Sequence, residues 1–236
     1  MRRGSRGAAV AVAVATFASV APADGSFLHD PREAFRRAGG EQLPILIDFH
    51  TTWCRSCERM QRETWPDPRL REPMRQFVAL SIDGDRESNL VSRYRVEGYP
   101  TIVLAAPGGE PVLELRAFQE AGALAEHLSR FLDNRHQLTV WARNAAGPRP
   151  APEALIGLAE FARERGSTLQ AERLYRKVLR RTGKPASGPA TRARTGLADV
   201  LVTSYRCREA LKLIGKLDPS PRRDDVEARA RACLSP

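Results

Sequence analysis

Cys54 and Cys57 stand three positions apart in the stretch HTTWCRSCERM, directly after Trp53. Two thiols at this spacing support three kinds of chemistry. A structural zinc site needs about four ligands at tetrahedral spacing. The remaining cysteines, Cys207 and Cys233, lie far along the chain, and no second C-x-x-C or H-x-x-x-H accompanies them. No metal is therefore expected. A permanent clip over two intervening residues gains little chain entropy. A pair that opens and closes needs one exposed sulfur at a strand-to-helix junction, where the unpaired N–H groups of the first turn favour a thiolate. The apolar run ILIDFH leads into the helix-patterned CERMQRE, with Cys54 at the junction. The pattern meets the physical requirement of the third chemistry.

The elements that must position this pair alternate along the chain. HDPREAFRRAGG reads as a helix: Asp30 can cap it, Pro31 suits its first turn, Glu33 follows as in a capping box and Gly39-Gly40 end it. LPILIDFH and FVALSID are short continuous apolar runs, as buried strands require. The helical charge pattern from Cys54 meets no breaker before Pro66, and RESNLVSRYRV reads as a further helix. TIVLAA and PVLELRA flank PGGE, a hairpin signal, and QEAGALAEHLSRFLDNRH is one amphipathic helix. The order αβαβαββα describes a three-layer α/β sandwich, with helices on both faces of a mixed sheet. It spans 26–141. The stretch ARNAAGPRPA, residues 142–151, has the composition of a linker, and from 152 to 236 the strand signal gives way to an all-α pattern.

A chain of 236 residues is long enough for two small domains. Hydrophobic residues at 42% and charged residues at 28% are the balance of a globular protein, not of a disordered or membrane chain. The formal charge of +10 is spread along the sequence without a nucleic-acid-reading motif or a stacking aromatic array, so nucleic acid is not an expected partner. Residues 1–23 have a basic start, an apolar run from Ala8 to about Val20, and small residues that fit a cut after Ala21 or Ala23. This is the layout of a secretory signal peptide, too short for a spanning helix. The expected product is exported and periplasmic, with no membrane span after signal removal. In such a chain four cysteines favour disulfides over zinc.

The segment ILIDFHTTWCRSC…VEGYPTIVLAAPGGE resembles the thioredoxin family, over about Ser26 to Trp141. The features are W-C-x-x-C, Asp48 ahead of the first cysteine, and Gly98-Tyr99-Pro100-Thr101 before a strand. ETWPDPRLREPM looks like the C-terminal thioredoxin-like domain of the bacterial transmembrane thiol:disulfide interchange protein. The resemblance implies a redox disulfide between Cys54 and Cys57, with Cys54 as the attacking thiolate and Cys57 as the shielded resolving thiol. It implies that Trp53 covers the site and joins the docking surface. Asp48 would handle the proton of Cys57, and Pro100 would sit in a cis peptide facing the cysteines. No cofactor is implied. Two positions depart from the family pattern. Arg55-Ser56 replaces Gly-Pro, and the charge of Arg55 should favour the Cys54 thiolate and shift the potential upward. His50 takes a place usually aromatic, where it either tunes the thiolate or is only a partly exposed strand histidine.

Beyond residue 152 the chain resembles tetratricopeptide repeats. Ala159, Gly166, Ala171 and Tyr175 take the small and aromatic positions of a first copy. Ala198, Ala210 and Ile214 do so in a second, with Tyr205 at the turn-glycine position and the loop GKPASGP between the copies. A generic pair of helical hairpins fits the same pattern. A last helix, DDVEARARACL, would cap them. Cys207 and Cys233 begin one helix and end the next: they bridge if those helices are antiparallel neighbours, and are small core residues otherwise.

Two classes of function follow. One is an exported thiol–disulfide oxidoreductase acting on protein disulfides or thiols, with reduction favoured over oxidation. It would have a redox partner protein and a helical domain that docks a further protein. Residues 26–141, which hold every redox residue, would then fold and work alone. The other class is a non-catalytic scaffold whose thioredoxin-like part only recognises partners. The intact set of Cys54, Cys57, Asp48 and Pro100 favours the enzyme; the natural substrate and the direction of electron flow stay open.

Overall fold

The computed structural model describes residues 27–182, 188–215 and 217–235. The expected signal peptide, and residues 183–187 of the loop between the helical repeats, lie outside them.

Strand β1 (Ile45–His50) runs parallel to β2 (Val78–Asp83) and antiparallel to β3 (Thr101–Ala105), which pairs antiparallel with β4 (Pro111–Arg116). The sheet order is β2-β1-β3-β4. Alternation along β1 divides the core. Ile45, Ile47 and Phe49 pack with Ala34 and Ala38 of α1 (Pro31–Glu41) and Tyr94 of α4 (Ser88–Tyr94). Leu46 faces the opposite layer, with Met60 of α2 (Arg55–Glu63), Leu70 of α3 (Pro68–Met74) and Leu124 of α5 (Ala121–Asp133).

Two local endings differ from the sequence reading. Gly39 and Gly40 stay inside α1, and Gln42 takes the left-handed cap at φ 54°, its N–H bonding the Ala38 carbonyl. The extra helix α3 arises because Asp67 accepts from the Arg69 N–H and Pro68 supplies a first-turn residue that needs no donor.

The largest difference is at the expected linker. Asn134 breaks the long amphipathic helix, its side-chain amide donating to the Arg130 carbonyl at 2.8 Å. A new helix, α6 (Arg135–Ala146), then runs through Trp141 and well into 142–151. Ala142 and Ala145 are buried against α7 (Pro152–Glu164), and the Trp141 ring lies so close to Gly157 that a Cβ there would meet it at 2.6 Å. Small residues that looked like linker composition are the means of close helix contact.

The remaining helices form two hairpins and a closing helix: α7 with α8 (Thr168–Thr182), α9 (Gly188–Thr203) with α10 (Cys207–Ile214), then α11 (Pro221–Ala232). The turns of the two hairpins use corresponding left-handed residues, Gly166 at φ 76° and Tyr205 at φ 58°. Cys207 and Cys233 are joined in a disulfide, with Cα atoms 6.3 Å apart. No helix among the described residues is long and apolar enough to cross a membrane.

The helical part covers the free edge of β4. Gln170, nearly buried, accepts from the Glu114 N–H at 2.8 Å and donates to the Val112 carbonyl at 3.0 Å. Ser167 donates to the Glu114 carbonyl, and the Glu114 carboxylate holds both Arg116 and Arg173. One apolar cluster runs from Leu46 through Leu138 and Ala142 to Leu155 and Tyr175. The two parts of the chain therefore share a core.

Candidate active site

Cys54 is the N-cap of α2, and its sulfur accepts the Cys57 N–H at 3.1 Å. The two sulfurs form a disulfide, with Cα atoms 5.2 Å apart. The expected exposed sulfur is not seen in this state: Cys54 is 6% exposed and Cys57 4%. What separates them is position on the helix. Cys54 stands at the positive end of α2, where the Cys57 N–H meets its sulfur, and Cys57 lies one turn inside.

Trp53 is 68% exposed beside this disulfide. Its indole N–H donates to Asp85 at 2.9 Å, and its ring meets Tyr99 edge-on at 5.9 Å. The Tyr99–Pro100 bond is cis. Pro100 is buried, and its carbonyl accepts the Ala117 N–H at 3.0 Å, so the proline loop is fastened to the turn after β4. Phe118, next in that turn, lies under the Arg59 guanidinium of α2 at 3.9 Å.

Asp48 is 2% exposed and shares with Leu46 the sheet face that α2 covers, where Cys57 and Met60 are the buried residues of that helix. Burial pushes its carboxyl up to about 7, while the Trp65 indole, facing it, pulls the other way. The Trp65 Nε1 is buried and completes no hydrogen bond among the described residues. Phe27 fixes that ring edge-on at 4.9 Å. His50, opposite Asp83 in the β1–β2 register, is half-buried. Burial lowers its pKa, with Asp83 opposing and His29 reinforcing the shift. Arg55 is exposed in the first turn of α2.

The structure thus brings Trp53, Cys54, Cys57, Asp48 and Pro100 into one region. Cys207 and Cys233 stand apart in the helical part. Sequence reasoning missed Asp85, Trp65 and the role of the Tyr99 ring. Asp85 lies 32 positions from its partner, and the Trp65 contact depends on how the chain turns after α2. No cluster of metal-binding side chains occurs among the described residues.

A family model described as a thioredoxin-like domain matches residues 31–132. The thiol:disulfide interchange protein DsbD 1 of Pseudomonas aeruginosa is 34% identical over 101 residues, covering 40% of this chain and 17% of that protein. The thioredoxin-like protein slr0233 of Synechocystis is 30% identical over 97 residues, covering 39% of this chain and 86% of that protein. The chain spans about a sixth of the length of the interchange proteins it matches. Among solved structures, the oxidised C-terminal domain of Neisseria meningitidis DsbD aligns with a TM-score of 0.38 at 19% identity, over 44% of this chain and 98% of that one.

Proposed function

We propose that this chain, which belongs to the thioredoxin-like family of thiol–disulfide oxidoreductases, reduces disulfides of protein substrates outside the cytoplasm. The observation that carries the reading is the Cys54–Cys57 disulfide at the start of α2, with Asp48 buried on the face beneath and titrating near neutral pH.

In the reduced protein the helix start favours the thiolate of Cys54, which attacks one sulfur of a substrate disulfide. That bond breaks, and the other substrate sulfur leaves as a thiolate and takes a proton from water. The Asp48 carboxylate then accepts the proton of Cys57. The Cys57 thiolate attacks the Cys54 sulfur, the bond to the substrate breaks, and the second substrate sulfur departs. Two electrons have passed to the substrate, and the chain is left with its Cys54–Cys57 disulfide. A dithiol of a redox partner protein would restore the reduced form. Exposed Trp53, with Tyr99 beside it, offers an apolar surface on which a substrate can settle.

Export is supported by the signal-like residues 1–23 and by the second disulfide, since such bonds persist in oxidising compartments. The α7–α8 and α9–α10 hairpins support a tetratricopeptide-like module that docks a partner protein.

The test is insulin reduction by the full chain with dithiothreitol as donor. Wild type should precipitate insulin chains far faster than dithiothreitol alone, and Cys54→Ser should abolish the excess. A folded wild type that adds nothing to the background would leave the scaffold reading in its place.

A further inference from the structure

At the end of the sheet away from the cysteines, a cavity of about 750 Å³ opens between α4, the start of β4 and helices α6 to α8. Pro111 on its wall pairs with Ala105, at the opposite end of β3 from Thr101 and Pro100. The volume is that of a small-molecule site. Both parts of the chain build it, and its charged lining is almost all of one sign: Arg93 and Arg95 at the end of α4, and Arg173, Lys177, Arg180 and Arg181 on α8.

Arg173 is paired with Glu114, whose carboxylate also serves Arg116. The other five cations have no carboxylate in salt-bridge range among the described residues, although Glu110 also lines the cavity. On another face of the same helix, Arg176 is held by both Glu172 and Glu209. Like charges gathered without counter-charge repel one another; Arg93, Arg95, Arg180 and Arg181 reach solvent, and Lys177 is half-buried among them. Lys177 registers this crowding. Among the described residues its ammonium donates only to the Ala145 carbonyl, at 3.2 Å, and burial followed by the charges of Arg181, Arg95 and Arg180 lowers its pKa. The same cavity carries apolar surface from Leu155, Leu158 and Leu174.

We propose that this cavity binds a small phosphorylated molecule with an apolar body. The phosphate would lie among Arg95, Lys177, Arg180 and Arg181, and the body against Leu155, Leu158 and Leu174. A phosphate monoester brings close to two negative charges and three acceptor oxygens. Arginine's planar donor fork matches those oxygens. A lone carboxylate would leave most of the cations unbalanced, and inorganic phosphate would leave the leucines unused. The site is remote from the redox pair and does not rest on the oxidoreductase reading.

Titration calorimetry on the full chain with 1-naphthyl phosphate, inorganic phosphate and 1-naphthol tests the proposal. Naphthyl phosphate should bind at one site, inorganic phosphate at least about ten-fold more weakly, and naphthol without saturation. Lys177→Gln and Arg180→Gln should each weaken naphthyl phosphate by about ten-fold, the scale of one charge-assisted hydrogen bond. Both should keep the wild-type circular dichroism and insulin reduction, because neither lies near the cysteines. The proposal is overturned if naphthyl phosphate binds no better than inorganic phosphate, or if either folded variant binds it as wild type does.

Discussion

Gln170 completes the sheet beside Glu114: its carboxamide takes the Glu114 N–H and gives a hydrogen to the Val112 carbonyl, as a further strand would. A bare sheet edge invites pairing with other chains, and here helix α8 closes it.

Removing that closure should be costly. Gln170→Ala strands a buried N–H and a buried carbonyl, and should destabilise the protein by about 2–4 kcal/mol in urea titration. Truncation after Trp141 cuts α6 in its middle and bares both β4 and the apolar surface that α7 covers. The expectation that residues 26–141 stand alone is therefore revised: the fragment should self-associate in size-exclusion chromatography. A monodisperse, fully stable fragment would contradict the shared core.

Asp48 should make stability fall as pH rises. Its native carboxyl titrates at about 7, against about 3.9 in an unfolded chain. Between those values the native state keeps a proton that the unfolded chain has released, so stability is full below about pH 4 and is lost progressively towards pH 7. Asp48→Asn should be more stable than wild type at pH 8, by on the order of 2–4 kcal/mol, and match it near pH 4. It should also slow resolution of the mixed disulfide by about 100-fold or more if Asp48 is the base for Cys57. Equal stability at pH 8 would mean the carboxyl is not held uncharged.

Trp65 should restrain that shift. Its indole N–H is the polar group that faces Asp48 and opposes the effect of burial. Trp65→Phe keeps an aromatic ring against Phe27 but deletes the N–H. The midpoint of the stability–pH curve should move further upward than in wild type. An unchanged midpoint would limit Trp65 to packing.

The strands and the redox pair were legible because their signals are local. A short apolar run bounded by turn residues and rich in β-branched side chains reads as a buried strand, and a cysteine at a strand-to-helix junction meets N–H groups whatever else surrounds it. The α5–α6 break and the buried α6 face were not legible, since Ala142 and Ala145 read as linker residues until Trp141 and Gly157 show how close the helices come. Asp85 and Gln170 were hidden for a related reason. Each acts on a group far along the chain, and a polar side chain carries no periodicity to mark its partner.

Tyr205 occupies a turn that suits glycine. It is left-handed at φ 58°, as Gly166 is in the preceding hairpin, and it is 89% exposed, so little packing would be lost on its removal. Tyr205→Gly should stabilise the protein by about 0.5–1 kcal/mol, seen as a small rise in Tm. A fall would mean that the exposed ring makes a contact worth more than the strain.

The division of labour between Cys54 and Cys57 is open to a direct trap. Only Cys54 sits where the first-turn N–H groups of α2 can hold a thiolate, with Arg55 adding positive charge nearby. Cys57, one turn inside α2 and away from those N–H groups, is placed to attack Cys54, not an incoming substrate. Exchange passes through a mixed disulfide that the second thiol resolves. Cys57→Ser should leave the attack intact and block resolution, so the variant accumulates covalent complexes on non-reducing gels that vanish on reduction. Cys54→Ser should accumulate none. The reverse pattern would exchange the two roles. Complexes from neither variant, together with a wild type that reduces no insulin, would end the oxidoreductase reading while leaving the phosphate-site proposal at the far end of the sheet untouched.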